Sequence, residues 1–269
     1  MNIRKRNAHI LPERLKRVMR RRNQTPIEPA ADDDRPSGLA IGSFGGFEIA
    51  YRKDSADEKV IFHSFDNDHF FPQVPEYQPA ENDVMIDIGA HIGTFSLLAS
   101  SKVRYGKVYA LEASQDSFNI LRINIALNQY TNISAHHIAI TDQNGTCTLY
   151  HASGNWGHSI INRHSKSSET VESCTLTDFL ARNRIEKCQF IKLNCEGAEF
   201  PLLLSTPKNI LQRFDIMLIL YHCDLWNKNT EGDLIFHLES SGFHCVIRNR
   251  SAKRGWIIAT KETSPNNAR

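Results

Sequence analysis

Apolar and polar positions along this chain repeat in two periods, and the changes of period mark its elements. Apolar runs of strand length fall at 84–88, 107–111, 133–139, 188–194 and 214–220. Between them, apolar residues recur at helical spacing near 92–101, 115–128, 175–184 and 198–206. Strand and helix alternating in this way predict an α/β fold, a Rossmann-like doubly wound parallel sheet. A last helix is expected at 231–241, followed by the apolar runs Phe243 to Arg248 and Gly255 to Thr260. These lie about seven residues apart, which suits an antiparallel hairpin and is too short for a parallel crossover.

The flanks read differently. Residues 1–22 have the pattern of a basic amphipathic helix, with Leu11, Leu15 and Val18 or Met19 on one face. Residues 23–38 are polar and proline-rich, as in a linker, so 1–38 is expected to be a flexible leader and 39–269 the folded domain. Residues 39–80 predict an N-terminal cap with short strands at Phe47 to Tyr51 and Val60 to Phe62. Phe70-Phe71-Pro72 follows, near the entrance of a pocket. The segment 141–174 interrupts the alternation. Two strands, 145–150 and 170–174, flank a polar loop from Ala152 to Ser168 that carries Trp156, His158 and His164. A loop of this length is usually functional or disordered, and a lid over a site is the reading favoured here. The pattern contains no internal repeat.

Composition adds bounds. With 269 residues, 41% of them hydrophobic, the chain can build one large α/β core. No apolar run reaches bilayer-spanning length, and residues 1–22 lack the apolar centre of a signal peptide. The six cysteines show no Cys-x-x-Cys pair and sit mostly in apolar runs, as reduced thiols of a cytoplasmic core do. Triplets beginning at Asn23, Asn132 and Asn144 resemble glycosylation sites but lack a secretory context. Residues 1–22 carry net +8 against +2 for the whole chain, which leaves the body at −6. An acidic body argues against nucleic acid as its substrate, although the leader can touch phosphate or an anionic membrane surface.

The richest stretch is Val84-Met85-Ile86-Asp87-Ile88-Gly89-Ala90-His91-Ile92-Gly93. It reads as strand, tight glycine turn and helix, a geometry that lets a ligand approach the backbone. Nineteen residues beyond Gly93, a second apolar strand ends in Glu112, placed to accept both hydroxyls of a ribose. A dinucleotide site wants three glycines for a pyrophosphate. Asp87 would repel that group but suits the ammonium end of S-adenosylmethionine. The expected cofactor contacts are therefore Asp87, Gly89, Ala90, His91, Gly93, Glu112 and Ala113.

On these residues the chain resembles the FkbM-type methyltransferases, from about Ile49 to Lys261. The resemblance also rests on the Asn124 to Asn128 helix end and on Thr175-Leu176-Thr177-Asp178-Phe179-Leu180. Its most specific block is Ile191-Lys192-Leu193-Asn194-Cys195-Glu196-Gly197-Ala198-Glu199. It implies the class I methyltransferase sheet, S-adenosylmethionine as cofactor, and O-methylation of sugars, glycan precursors or polyketide-like metabolites. In one place the chain departs from the family: an aspartate is usual where Asn194 stands. Asparagine is no base and only a weak, neutral metal ligand, so no metal is expected here.

Methylating an aliphatic hydroxyl requires a group that takes its proton. Glu196, just past a strand end, is the leading candidate; alternatively, Glu196 and Glu199 merely favour the start of the next helix. Asn194 delivers its side chain to the same edge. His222, at the end of the 214–220 strand, is a further candidate. His158 is either a base in the lid or a solvated histidine, and Lys192 is expected to partner an acid. Trp156 or Trp226 either stacks on an acceptor or packs. Two other functions compete with an O-methyltransferase: an RNA methyltransferase guided by the leader, and a non-catalytic scaffold that keeps the fold.

Overall fold

The computed structural model describes residues 38–65, 70–152, 157–161, 167–226 and 228–261. The leader through residue 37 lies outside them, as do Trp156 and His164. The described chain opens with an antiparallel hairpin, β1 (Leu39–Phe44) and β2 (Phe47–Arg52). Helix α1 (Asp57–Phe65) follows. It takes up Val60 to Phe62, which the sequence pattern predicts as strand. Three apolar residues are too few to set a period, whereas buried Asp57, Ile61 and Ser64 recur at helical spacing.

The alternating units come next: β3 (Val84–Ile88), α2 (Thr94–Lys102), β4 (Lys107–Glu112), α3 (Gln115–Leu127) and β5 (Ile133–His137). Ser114 caps α3 by accepting from the Ser117 N–H. The expected strand 133–139 breaks at Ile138, whose N–H bonds to the Glu112 carbonyl oxygen at 3.1 Å. Beyond it β6 (Ala139–Thr141) joins β7 (Gly145–Tyr150) and β8 (Ser168–Thr175) in a separate three-stranded sheet, order β6-β8-β7. The chain returns through α4 (Leu176–Arg182), β9 (Cys188–Leu193), α5 (Glu199–Ser205), α6 (Lys208–Leu211) and β10 (Phe214–His222). It ends with α7 (Glu231–Glu239), β11 (Phe243–Arg248) and β12 (Arg254–Lys261).

The main sheet has seven strands in the order β11-β12-β10-β9-β3-β4-β5. The five from β10 to β5 are parallel; β12 is antiparallel to both β10 and β11, so the expected hairpin forms and inserts its second strand. The central strands are buried on both faces, which explains their continuous apolar runs. Ile86, Ile88, Ile191 and Leu193 pack with Phe179, Phe200 and Leu203 on one side. Met85, Val108 and Phe190 pack with Phe95, Leu97 and Leu121 on the other. The strands run the same way, so the carboxyl ends of β3, β4, β9 and β10 share one edge, where open α/β sheets bind ligands.

The cap is fastened to that edge by the asparagines of the α3 end. Asn124, fully buried, accepts from the Ala50 N–H at 2.6 Å and donates to the Ile92 carbonyl at 2.8 Å. Asn128 pairs with both backbone groups of Glu48. No described helix is long and apolar enough to cross a membrane.

Candidate active site

A cavity of about 530 Å³ opens at the carboxyl edge of β3, β4 and β9, within the size range of small-molecule sites. Its floor is the glycine turn. Gly89 has φ +75°, and a Cβ there would lie 2.0 Å from the Asn194 carbonyl oxygen, so only glycine lets the two strand-end loops approach this closely. Gly93, with φ +88°, packs against Leu121 instead and does not line the cavity.

Asp87 is placed differently from the sequence expectation of a contact with the cofactor's ammonium. It is fully buried and absent from the cavity wall. Its carboxylate accepts from Lys192 Nζ at 2.9 Å and from Ser96 Oγ at 2.6 Å. Lys192 thus partners an acid, as expected, and the pair holds the turn from beneath. The register pairs Asp87 with Lys192 across β3 and β9, which aims both side chains to one face.

Glu112 does reach the cavity. One carboxylate oxygen accepts from the His91 N–H at 2.7 Å, the other from the Ser114 N–H at 2.8 Å. An ionised carboxylate has about four acceptor positions, so two remain for ribose hydroxyls. Ala90, His91 and Ala113 line the wall beside it, with apolar Ile138, Ile140 and Leu149 beyond. His91 holds a left-handed backbone, φ 53°, and its Nε2 lies 3.4 Å from Asp57 Oδ1. That aspartate forms a buried, two-pronged ion pair with Arg52, which also donates to Ser117 Oγ at 3.1 Å. Nothing in the sequence pattern marks the Arg52–Asp57 pair as part of the site, because His91 and Ser117, which it meets there, are distant in sequence.

The loop after β9 carries the candidate base. Glu196 and Gly197 are both left-handed, with φ 51° and 98°. A non-glycine residue in that region costs roughly 1–2 kcal/mol, and such strain concentrates at functional sites. Ser159, in the loop after β7, holds this turn: its Oγ donates to the Glu196 carbonyl at 2.6 Å. The Glu196 side chain lies on the cavity wall, and burial pushes its carboxyl above the usual range, partly offset by His222 and Arg254. His222 stands behind it, fully buried and off the cavity wall. Its Nε2 is 3.5 Å from Glu196 Oε2, and its Nδ1 is 2.9 Å from Glu199 Oε1. His222 therefore touches the candidate base, not a bound acceptor. Asn194 lines the cavity, and its Oδ1 is buried without a protein partner.

His158 also lines the cavity, but burial, aided by His151, His91 and Arg52, lowers its imidazole to about 4. It stays neutral at pH 7 and is a weak base. Trp226 stacks on Phe200 at 6.4 Å and is a packing residue. Among the described residues, the tryptophan at the cavity is Trp256, edge-on to Phe70 at 6.4 Å, with Phe95 and Leu220 also on the wall. Sequence reasoning passed over Trp256; its signal is a large aromatic at the start of an otherwise aliphatic strand. Phe70 lies at the pocket as expected.

The profile of the methyltransferase FkbM domain matches residues 87–245, from Asp87 of the glycine turn into β11. No curated protein matches by sequence. Among solved structures, the methyltransferase FkbM from Methylobacillus flagellatus is similar at a TM-score of 0.47 and 13% identity. That match covers 70% of this chain and 46% of the other, less than half its length. The precorrin-6y C5,15-methyltransferase from Geobacter metallireducens matches at 0.42 and 13% identity, over 68% of this chain and 82% of its own. TrmK of M. capricolum, in complex with S-adenosyl-homocysteine, matches at 0.43 and 11% identity, over 71% and 66%.

Proposed function

We propose that this chain, which belongs to the FkbM methyltransferase family, methylates a hydroxyl oxygen of a sugar, a glycan precursor or a secondary metabolite. S-adenosylmethionine is its cofactor. When bound, that cofactor supplies a methyl group whose bond to a sulfonium sulfur breaks as its bond to the acceptor oxygen forms.

The residues present fit this molecule. The Gly89 cradle, which a Cβ would fill, admits it against the backbone. The two remaining acceptor positions on Glu112 suit ribose hydroxyls, and Ile138, Ile140 and Leu149 suit a flat base. Phe70, Phe95, Leu220 and Trp256 enclose the other end and exclude water, which orients reactants and strengthens the local electrostatics.

The chain's own chemistry is proton removal. Glu196 accepts the acceptor's hydroxyl proton, and its raised carboxyl pKa brings it closer to working pH than an ordinary glutamate. Asn194 Oδ1, buried and unpartnered in the protein, offers a hydrogen-bond acceptor at the same edge. A negative residue here also complements a sulfonium. The observation that carries this reading is the Glu196 carboxylate on the cavity wall, held by a strained turn and backed by His222.

The test is methyl transfer from tritiated S-adenosylmethionine to cell extracts fractionated into glycans, lipids, RNA and small metabolites. Alkali-stable label in the glycan or metabolite fraction is the expected result. Label confined to RNA would overturn the choice of acceptor.

A further inference from the structure

We infer that Glu199 is a positioning residue that locks the His222 ring so that its Nε2 faces Glu196 and receives the acceptor's proton through it. The lock stands on geometry alone; its use in catalysis rests on the proposed role of Glu196 as base.

The geometry fixes which ring nitrogen carries hydrogen. Glu199 is fully buried at the start of α5. Its Oε2 accepts from the Gly197 N–H at 2.9 Å, which turns Oε1 toward His222 Nδ1 at 2.9 Å. A carboxylate only accepts, so Nδ1 carries the proton in the neutral ring. Nε2 is then left facing Glu196 Oε2 at 3.5 Å, buried and with no hydrogen-bond partner. That distance is longer than a formed hydrogen bond, and such contacts often tighten only when substrate is bound.

The proton balance follows. The acceptor's O–H bond breaks, its electron pair stays on oxygen, and the proton bonds to Glu196. Passage from Glu196 to Nε2 turns the ring into an imidazolium between two carboxylates and returns Glu196 to its ionised form. Other charged groups face the cluster from neighbouring elements. Arg254 of β12 approaches Glu196 and Glu199, and Asp224, after β10, holds Arg254 at 2.7 Å. Arg254 is thereby partly neutralised and competes only weakly with His222 for the carboxylates. The orienting carboxylate, imidazole and base in line repeat the logic by which a third group fixes a histidine tautomer.

Glutamine at 199 has one acceptor oxygen and cannot serve both donors. Kept on the Gly197 N–H, that oxygen leaves an NH₂ facing Nδ1, which forces the ring proton to Nε2. The full chain, labelled with ¹⁵N and ¹³C and assigned residue by residue, reports the His222 tautomer and titration directly by long-range ¹H–¹⁵N correlation. In the native chain we expect the Nδ1–H form. In E199Q we expect the Nε2–H form and titration about 1–3 pH units lower. Should E199Q fail to fold, E196Q tests the other half: His222 keeps the Nδ1–H form but titrates lower. An Nε2–H form in the native chain, or a His222 unmoved by these variants, overturns the inference. Undiminished methyl transfer by E196Q, with His222 responding as expected, would sink the base assignment and leave the lock standing.

Discussion

Lys192 Nζ lies 2.9 Å from Asp87 Oδ1 and 2.8 Å from the Gly89 carbonyl oxygen, so one buried cation ties the β9 strand to the glycine turn of β3. Both side chains are nearly inaccessible. Lys192 reaches the cavity wall, whereas Asp87 stays beneath it. A family motif residue, Asp87, thus serves the backbone rather than the ligand.

Lys192→Met removes the cation and leaves Asp87 buried and unpaired. Breaking a buried pair from one side typically costs about 3–5 kcal/mol. Urea unfolding should show a loss of that order, and K192M/D87L should recover part of it. A K192M variant as stable as the native chain would mean that Ser96 alone satisfies Asp87.

Glu112 does two tasks, since both its oxygens already accept backbone N–H groups. Glu112→Gln keeps the size but halves the acceptors. With charge-assisted bonds worth about 1.5–3 kcal/mol each, S-adenosylmethionine affinity should fall tenfold or more. Calorimetry reads this directly. Unchanged affinity would remove Glu112 from the cofactor site.

The parallel strands were legible because burial on both faces writes continuous apolar runs, and each run ends in the residue that forms the edge: Asp87, Glu112, Asn194. Glu196 was legible for the same reason, being the first acid after β9. Other features were not. The strand that splits at Ile138 shows no turn residue at the break while its pairing moves to another sheet. Arg52 meets Asp57, His91 and Ser117 only after folding. The Ser159 contact with Glu196 joins the loop after β7 to the loop after β9 across 37 positions, with no local signal. His222 falls at the expected edge, but its place behind Glu196 depends on Glu199, the last residue of the motif block, which reads as an ordinary helix start.

Glu196→Gln preserves volume and hydrogen bonding but removes the base. Turnover of whichever acceptor the extract screen identifies should fall by about 10²-fold or more, with cofactor affinity nearly intact. Among the described residues, no group of three His, Cys, Asp or Glu is arranged to hold a metal ion. Because Asn194, a weak neutral ligand, stands where the family usually has an aspartate, EDTA should leave turnover nearly unchanged. Strong inhibition reversed by Mg²⁺ would show that Asn194 still belongs to a metal site.

The last prediction concerns pH. Burial by itself depresses the His222 imidazole, but the hydrogen bond to Glu199 and the charges of Glu199 and Glu196 outweigh it and raise the ring above its ordinary 6.5. A folded value above the unfolded one means that the folded state binds the proton more tightly. The stabilisation is complete below 6.5 and is lost as pH rises through the folded value. Burial raises Glu196 as well, with the same sign. Asp224 acts oppositely: its hydrogen bond to Arg254 lowers its carboxyl below 3.8, so its contribution is present above 3.8 and fades in acid. The melting temperature should therefore be highest in the mildly acidic range just above 3.8 and decline toward alkaline pH as Glu196 and then His222 lose their protons. His222→Gln should flatten the alkaline decline while leaving the acid limb in place. Calorimetric scans from about pH 2 to about pH 9 on both chains span both limbs. An alkaline limb left undiminished by the substitution would place the titrating group elsewhere.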